Sequence, residues 1–441
     1  MANVYISFLG TNDYLPCRYV LNGQTSGSVR FVQEALMNFC CSTWQTDDRI
    51  LIFTTPFASS RNWVDNGHMD HRKTGNMPER KGLKCCLADM NLPAPVKQVA
   101  IPDGKTENEI WDIFNIVFEH IQPEDELTID ITHAFRSIPL LALAVVNYAR
   151  AMKHITLRGI YYGALEVLGG IEQAKKLPPD KRLVPVFDLT AFDSLMEWSY
   201  AVDRFIESGD ARSVGRLAER SARALLSQTR GKARFAHSMR QMAKNLDEFT
   251  KAMSTCRGLD ISRIAGHLKD NILRMEEHEQ MQPKPFQPVF RQIRDKMKPF
   301  CGDSISDGIQ AARWCANHNL IQQGYTILEE ILISYFIKKA GFDPADLNNK
   351  NREIASQAVT IYLKRYPQAL WHKPATDHPE TTQKFLSFYG SCEDLIQSFK
   401  EISNLRNDLN HAGFRSEAMK AARFVQKLSE LIHNAENHIK P

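Results

Sequence analysis

At 441 residues the chain is too long for one ordinary domain, and two or three are expected. Hydrophobic residues make up 43% and charged residues 24%, the balance of a soluble globular protein with a proper core and not of a low-complexity chain. The net charge of +4 does not by itself indicate a nucleic-acid-binding protein. Its distribution is uneven, however. Residues 203–298 hold 20 Lys and Arg against 12 Asp and Glu, which reads either as a solvated helical face or as a surface that attracts phosphate.

The opening MANVYISFLG has no basic leader region and reads as a strand, not a signal peptide. The longest apolar stretch, PLLALAVVNYA (139–149), is too short to cross a bilayer. The nine cysteines are scattered apart from the neighbours Cys40, Cys41 and Cys85, Cys86, and none has zinc-finger spacing. They read as reduced thiols of a cytoplasmic protein.

Up to about residue 190, strands and helices alternate. Apolar, β-branched runs at 4–10, 49–56, 96–102, 127–132 and 155–165 have strand length, and helical patterns lie between them at 28–41, 106–121 and 139–153. Near-continuous apolar strands alternating with helices predict a parallel sheet covered on both faces, a doubly wound, Rossmann-like domain. The polar stretch 57–95 reads as an insertion. A last strand signal, VPVFDLT (184–190), is followed only by helical patterns: 193–227, 234–255, 261–280, 288–298, 305–340, 352–365, 380–408 and 415–438. The proline-rich QMQPKPFQPVF (280–290) marks an internal boundary. The expected organisation is an α/β domain over 1–190, a helical linker over 191–299 and an all-helical domain over 300–441, with 193–227 as the continuous connection.

Two loops of the α/β half leave strands at the edge where open sheets bind ligands. In LGTNDY (9–14), Gly10 permits close backbone approach, and Thr11 and Asn12 supply short polar groups. The loop is not G-x-G-x-x-G, which disfavours a nicotinamide or flavin cofactor and a metabolic enzyme built on one. In DITHAFRSIP (130–139), Thr132, His133, Arg136 and Ser137 gather at the start of a helix, a natural anion site. The pair His68 and His71 has no third ligand nearby and is discounted as a metal site.

The helical half carries SNLRNDLNHAGF (403–414). Asn and Asp are poor residues for a helix interior, yet they fill the space between Arg406 and His411. On a straight helix these two stand roughly 140° apart in azimuth and about 7.5 Å apart in rise. Either the helix ends within NDLNHAG, with Gly413 as terminator and Ser416 as the next N-cap, or two copies share the site; a polar inter-helix turn is the plain alternative. An imidazole moves a proton near neutral pH and a guanidinium stabilises a phosphorane. Together they suit attack of an RNA 2′-hydroxyl on its neighbouring phosphate, a reaction that needs no metal.

With these motifs the chain resembles the CRISPR-associated CARF–HEPN ribonucleases of type III systems over nearly its whole length. HEPN domains carry Arg, four to six residues and His, often with a polar residue after the Arg; here these are Arg406, Asn407 and His411. The helix NHNLIQQGYTILEEIL (317–332) resembles an early HEPN helix, and LGTNDY and DITHAFRSIP resemble CARF ligand loops, whose usual Gly is Ala134 here. The resemblance implies that Gly10, Thr11, Asn12, Thr132, His133, Ala134, Phe135, Arg136 and Ser137 bind a cyclic oligoadenylate, with cyclic tetra-adenylate the expected ring. It also implies a homodimer or higher even homo-oligomer, with no membrane partner. Arg406, Asn407 and His411 would then cut single-stranded RNA without a catalytic cofactor, leaving 2′,3′-cyclic phosphate ends. A ligand-gated nucleic-acid-binding or regulatory protein with an inactive HEPN domain is the other reading.

Overall fold

The computed structural model describes residues 1–68, 80–133, 138–231, 233–276, 284–347, 350–414, 416 and 418–439. The expected ligand residues Ala134, Phe135, Arg136 and Ser137 lie outside the described residues, as do His71 and positions 280–283 of the proline-rich boundary. The chain divides into two compact units, Met1–Ser194 and Leu195–Pro441. The first is an α/β sheet unit and the second is helical. No described helix is long and apolar enough to cross a membrane.

In the first unit the elements run β1 (Asn3–Leu9), β2 (Cys17–Leu21), β3 (Gln24–Val29), α1 (Val32–Cys40), β4 (Arg49–Thr54), α2 (Pro56–Ala58) and α3 (Leu83–Asp89). They continue with β5 (Val96–Ala100), α4 (Glu107–Glu119), β6 (Glu126–Asp130), α5 (Ile138–Lys153), β7 (Thr156–Gly163), α6 (Ile171–Lys176) and β8 (Leu183–Asp188). The sheet has the order β3-β2-β8-β7-β6-β1-β4-β5. Strands β5, β4, β1, β6 and β7 are parallel neighbours. β8 then joins β7 antiparallel, and β2 pairs parallel with β8 and antiparallel with β3. The sheet is therefore mixed at one side, where the sequence pattern predicts parallel strands throughout.

The strand period of two decides what each face of β1 buries. Val4, Ile6 and Phe8 join a core with Leu51, Phe53, Leu127 and Val145. Tyr5 and Leu9 join a second core with Leu36, Ile50, Ile52 and Val184. Both faces are dry, which explains the unbroken apolar strand runs. Among the parallel strands, chain order reverses direction between β1 and β6. That is the switch point at which loops leaving neighbouring strands part to opposite sides and open a crevice.

The second unit is reached within α7 (Thr190–Ser208) and comprises α8 (Arg212–Gln228), α9 (Arg234–Ser254), α10 (Gly258–Glu276), α11 (Gln287–Met297), α12 (Ser304–Asn317) and α13 (Ile321–Lys339). It ends with α14 (Asn351–Lys364), α15 (Pro379–Tyr389), α16 (Glu393–Asn410) and α17 (Ala421–His438). The predicted segments 193–227, 305–340 and 380–408 are each broken into two helices. The last helix begins at Ala421 with Lys420 as its N-cap, so Ser416 does not cap it. One apolar core runs from Trp198 to Ile439 and includes Phe205, Phe249, Ile293, Leu328, Phe336, Phe399 and Leu428. Buried Asp307 on α12 ties this core together, accepting hydrogen bonds from the Ser262 hydroxyl on α10 and from the Cys301 and Gly302 amides.

Helices α12 and α13 touch where Gly308 leaves room for Ile331. A Cβ on Gly308 would stand 2.1 Å from Ile331 Cδ1 and 2.3 Å from Cγ1. Gly308→Ala therefore forces Ile331 off its position in a filled core, an overpacking cost of about 1–3 kcal/mol. A thermal melt should fall by roughly 2–4 °C for each kcal/mol lost, and an unchanged melt would show that α13 moves freely there.

Candidate functional site

The loop after β1 and the loop after β6 meet at the switch point. The Tyr14 ring stacks on the His133 ring with centroids 4.1 Å apart and planes inclined by 30°. Gly10 lies beneath this pair: a Cβ there would stand 2.1 Å from the Tyr14 hydroxyl oxygen and 3.2 Å from His133 Cβ. Of the residues singled out from sequence, Gly10, Thr132 and His133 thus come together. Thr11 is half-buried and Asn12 is exposed on the same loop.

A buried carboxylate anchors the β6 side. Asp130 ends β6 with no exposed surface. Its Oδ2 accepts the Ser7 hydroxyl at 2.7 Å and its Oδ1 accepts the Thr132 amide at 2.9 Å. Gln33 of α1 donates in turn to Ser7 Oγ at 3.1 Å and to the Phe8 carbonyl at 3.3 Å. Burial pushes the Asp130 carboxyl up, against the hydrogen bonds from Thr132 and Ser7. Thr132 Oγ1 also accepts the Gly163 amide of β7 at 2.8 Å, which fixes the loop across two strands.

His133 keeps part of its surface open, but its Nε2 is enclosed and has no partner among the described residues. Burial holds the imidazole down to about 3, so it is neutral at physiological pH. It offers a stacking face and a hydrogen-bonding nitrogen, not a cation.

The β1 loop is held by a residue that local sequence patterns do not reveal. After α2 the chain makes a π-helical turn, Ser59–Trp63. From it, fully buried Asn62 donates through Nδ2 to the Gly10 and Asn12 carbonyls, both at 2.9 Å. Its Oδ1 accepts from Arg30 at 3.3 Å, and Arg30 and Arg80 both pair with Asp13, at 3.3 and 2.8 Å. Asn62 and Arg80 therefore clamp the loop.

In the helical unit, Arg406 lies on α16 and reaches α13, where its Nε is 2.8 Å from Glu329 Oε2. The contact is an ion pair without hydrogen-bond alignment. Glu329 is almost fully buried; burial pushes its carboxyl up, and the Arg406 guanidinium opposes that.

α16 runs unbroken past Arg406 through Asn410, and His411 is its exposed C-cap. The chain then turns through Ala412 (φ 52°) and Gly413 (φ 76°). The Gly413 amide donates to the Asp408 carbonyl and the Ala412 amide to the Leu409 carbonyl, a Schellman ending. Ala412, not Gly413, takes the first left-handed position. Buried Asp408 secures the exit by accepting the Met419 amide at 2.7 Å, and Asn410 accepts from Gln322 at 3.1 Å. Asn407 is exposed, its carbonyl taking the His411 amide at 3.1 Å. No hydrogen bond or ion pair among the described residues joins Arg406 to His411. Phe414, 92% exposed, follows at the turn.

A family model described as CRISPR-associated protein MJ1674, second domain, matches residues 194–302. The CRISPR-associated protein MJ1674 of Methanocaldococcus jannaschii is 25% identical over 312 residues, which cover 70% of this chain and 41% of that protein. The chain thus matches less than half of that relative's length. Both likenesses support a CRISPR-associated protein.

The Arg406–Glu329 pair gives a pH-dependent expectation. A carboxyl whose folded pKa is raised contributes stability that is lost as pH rises through the folded value. Arg406→Ala removes the opposing cation and raises that value further, so its deficit should grow as pH rises past the parent's folded value, which already lies above the ordinary glutamate range. At neutral pH the loss should be about 1–3 kcal/mol, less than for a wholly buried pair because the Arg406 side chain is 31% exposed. Adding Glu329→Gln should recover most of it in chemical denaturation. A deficit that does not vary with pH would show that the pair carries no such coupling.

Proposed function

We propose that the chain acts in CRISPR defence as an endoribonuclease of the HEPN type, switched on by a cyclic oligoadenylate bound to a CARF-type sheet unit. The observation that carries this reading is the end of α16. There an exposed imidazole sits at a fixed helix terminus, five residues beyond an arginine steadied by a buried carboxylate. The two residues leave an unbroken helix at different azimuths, so two copies of α16 would complete one site between them.

In the proposed reaction, one His411 takes the proton from an RNA 2′-hydroxyl as that oxygen bonds to the neighbouring phosphorus. The bond from phosphorus to the 5′-oxygen breaks, and the leaving oxygen takes a proton from the second copy's imidazole. The terminal nitrogens of Arg406 stabilise the added charge on the phosphorane, and Asn407 orients the phosphate. The products are a 2′,3′-cyclic phosphate and a 5′-hydroxyl. The ring would sit over the switch-point crevice, with bases against the Tyr14–His133 stack. Since His133 is neutral, cationic contacts to the ring's phosphates fall to other groups, Arg136 foremost.

The ion pair of Arg406 with Glu329 favours one rival: a ligand-gated RNA-binding protein whose arginine is already neutralised. One experiment decides between them. Full-length protein is mixed with labelled single-stranded RNA and cyclic tri-, tetra- or hexa-adenylate. Cleavage stimulated by one ring, insensitive to EDTA and leaving cyclic phosphate ends, is expected. His411→Ala is the clean variant because His411 is exposed, and it should lower the rate about a hundredfold or more. Metal-dependent cleavage with 3′-hydroxyl ends would overturn the mechanism, and binding without cleavage would favour the rival.

A further inference from the structure

Helices α8 and α9 pack through small residues. Gly215, Ala218 and Ala222 of α8 and Ala236 and Ala243 of α9 are buried, and a Cβ on Gly215 would lie 3.4 Å from the Ala243 carbonyl oxygen. Small contact residues let helix axes approach. The side chains flanking the seam therefore share one open groove of about 870 Å³.

That groove is lined by cations from both sides. Arg212, Arg216, Arg220 and Arg223 form one stripe along α8, and Arg240 and Lys244 face them from α9. All six are exposed. Five of the six are answered by carboxylates, and Glu219 alone serves two of them. Asp210 pairs with Arg212 at 2.6 Å, Glu197 with Arg220, and Glu219 with both Arg223 (3.5 Å) and Arg240 (3.3 Å). Glu248 is 3.8 Å from Lys244, while Asp247, also in the groove, pairs with Lys251. Arg216 has no carboxylate among the described residues, only the Ser213 hydroxyl at 3.1 Å. Ion pairs this exposed hold weakly and exchange readily for a phosphate.

Steps of four, four and three residues set the arginine backbone positions about 6, 6 and 4.5 Å apart along the helix axis, on the scale of the repeat of an extended nucleic-acid strand. One such row, walled by α9, offers a track for one phosphate backbone. Among the described residues no aromatic ring lines the groove, so these residues offer a surface for phosphates and none for stacking bases. We infer that the α8–α9 groove binds the phosphate backbone of single-stranded RNA without regard to sequence. Its use in bringing substrate to α16 rests on the ribonuclease reading; the binding itself does not.

The test measures binding, not cleavage. Fluorescence anisotropy follows a labelled oligouridylate on full-length His411→Ala protein, which spares the probe. Adding Arg216→Ala and Arg223→Ala should weaken binding about tenfold, and the log–log salt dependence should become shallower by about 1.4, two phosphate contacts' worth. Arg216→Ala alone, which breaks no ion pair, should give about half that change in slope. Lys175→Ala with Lys181→Ala, which removes the same charge from the sheet unit, should leave affinity within about twofold, since its effect is not local. The proposal is overturned if the arginine variants bind like the parent, if the lysine pair loses as much, or if polyglutamate displaces the probe as well as unlabelled oligouridylate. Groove-dependent binding in a protein that never cuts RNA would sink the ribonuclease reading and leave this one standing.

Discussion

A carboxylate taken out of water must be met by hydrogen bonds or by a cation, and each unit of this protein fixes its candidate site with one such group. In the sheet unit it is Asp130, at the last position of β6 and without exposed surface. Its two oxygens are answered by Ser7 of β1 and by the Thr132 amide, so the strands flanking the switch point and the loop between sheet and helix are set by one side chain. Thr132 and His133 hold their positions because Asp130 has to be satisfied. In the helical unit the group is Glu329 on α13, whose cation is Arg406 on α16. Its burial selects where that arginine stands.

The two anchors differ in kind. Asp130 is satisfied by neutral donors within a rigid sheet, and the surrounding groups are themselves bonded: Gln33 to Ser7, Thr132 to Gly163. Such a closed network suits a binding surface that must keep its shape. Glu329 and Arg406 are linked by charge without good hydrogen-bond alignment. An arginine held in this way can tilt toward an incoming phosphate without leaving its partner, which suits a group that acts on developing charge.

Much of this was legible in the sequence, and the limits follow from which contacts are local. The apolar runs of β1, β4 and β6 are readable because burial on both faces leaves them unbroken. β2 and β3 carry no apolar run, although a turn signal marks them: Asn22 and Gly23 form the two-residue turn of that hairpin, with φ of 50° and 80°. Their strands are short, and β3 is mostly exposed and polar, so no apolar run marks it. The loops carrying Gly10, Thr132 and His133 were found by composition, but their ring-to-ring contact and the neutrality of His133 depend on packing. Asn62 and Arg80 belong to no local pattern, and Glu329, although it lies in the helix 317–332, gives no local sign of its pairing with Arg406. Each meets its partner across a long stretch of chain. The Arg406–His411 spacing was visible, whereas the unbroken helix between them was not, because Asn and Asp argue locally against it.

On the proposed reading, the switch-point crevice is half of a symmetric receptor for a cyclic oligoadenylate. Calorimetric titration of the full-length protein with cyclic tetra-adenylate reads this directly through the stoichiometry. One ring bound per two chains is the predicted result, because a two-fold ligand takes the same loops from each copy. One ring per chain, or no heat with any ring size, would contradict it.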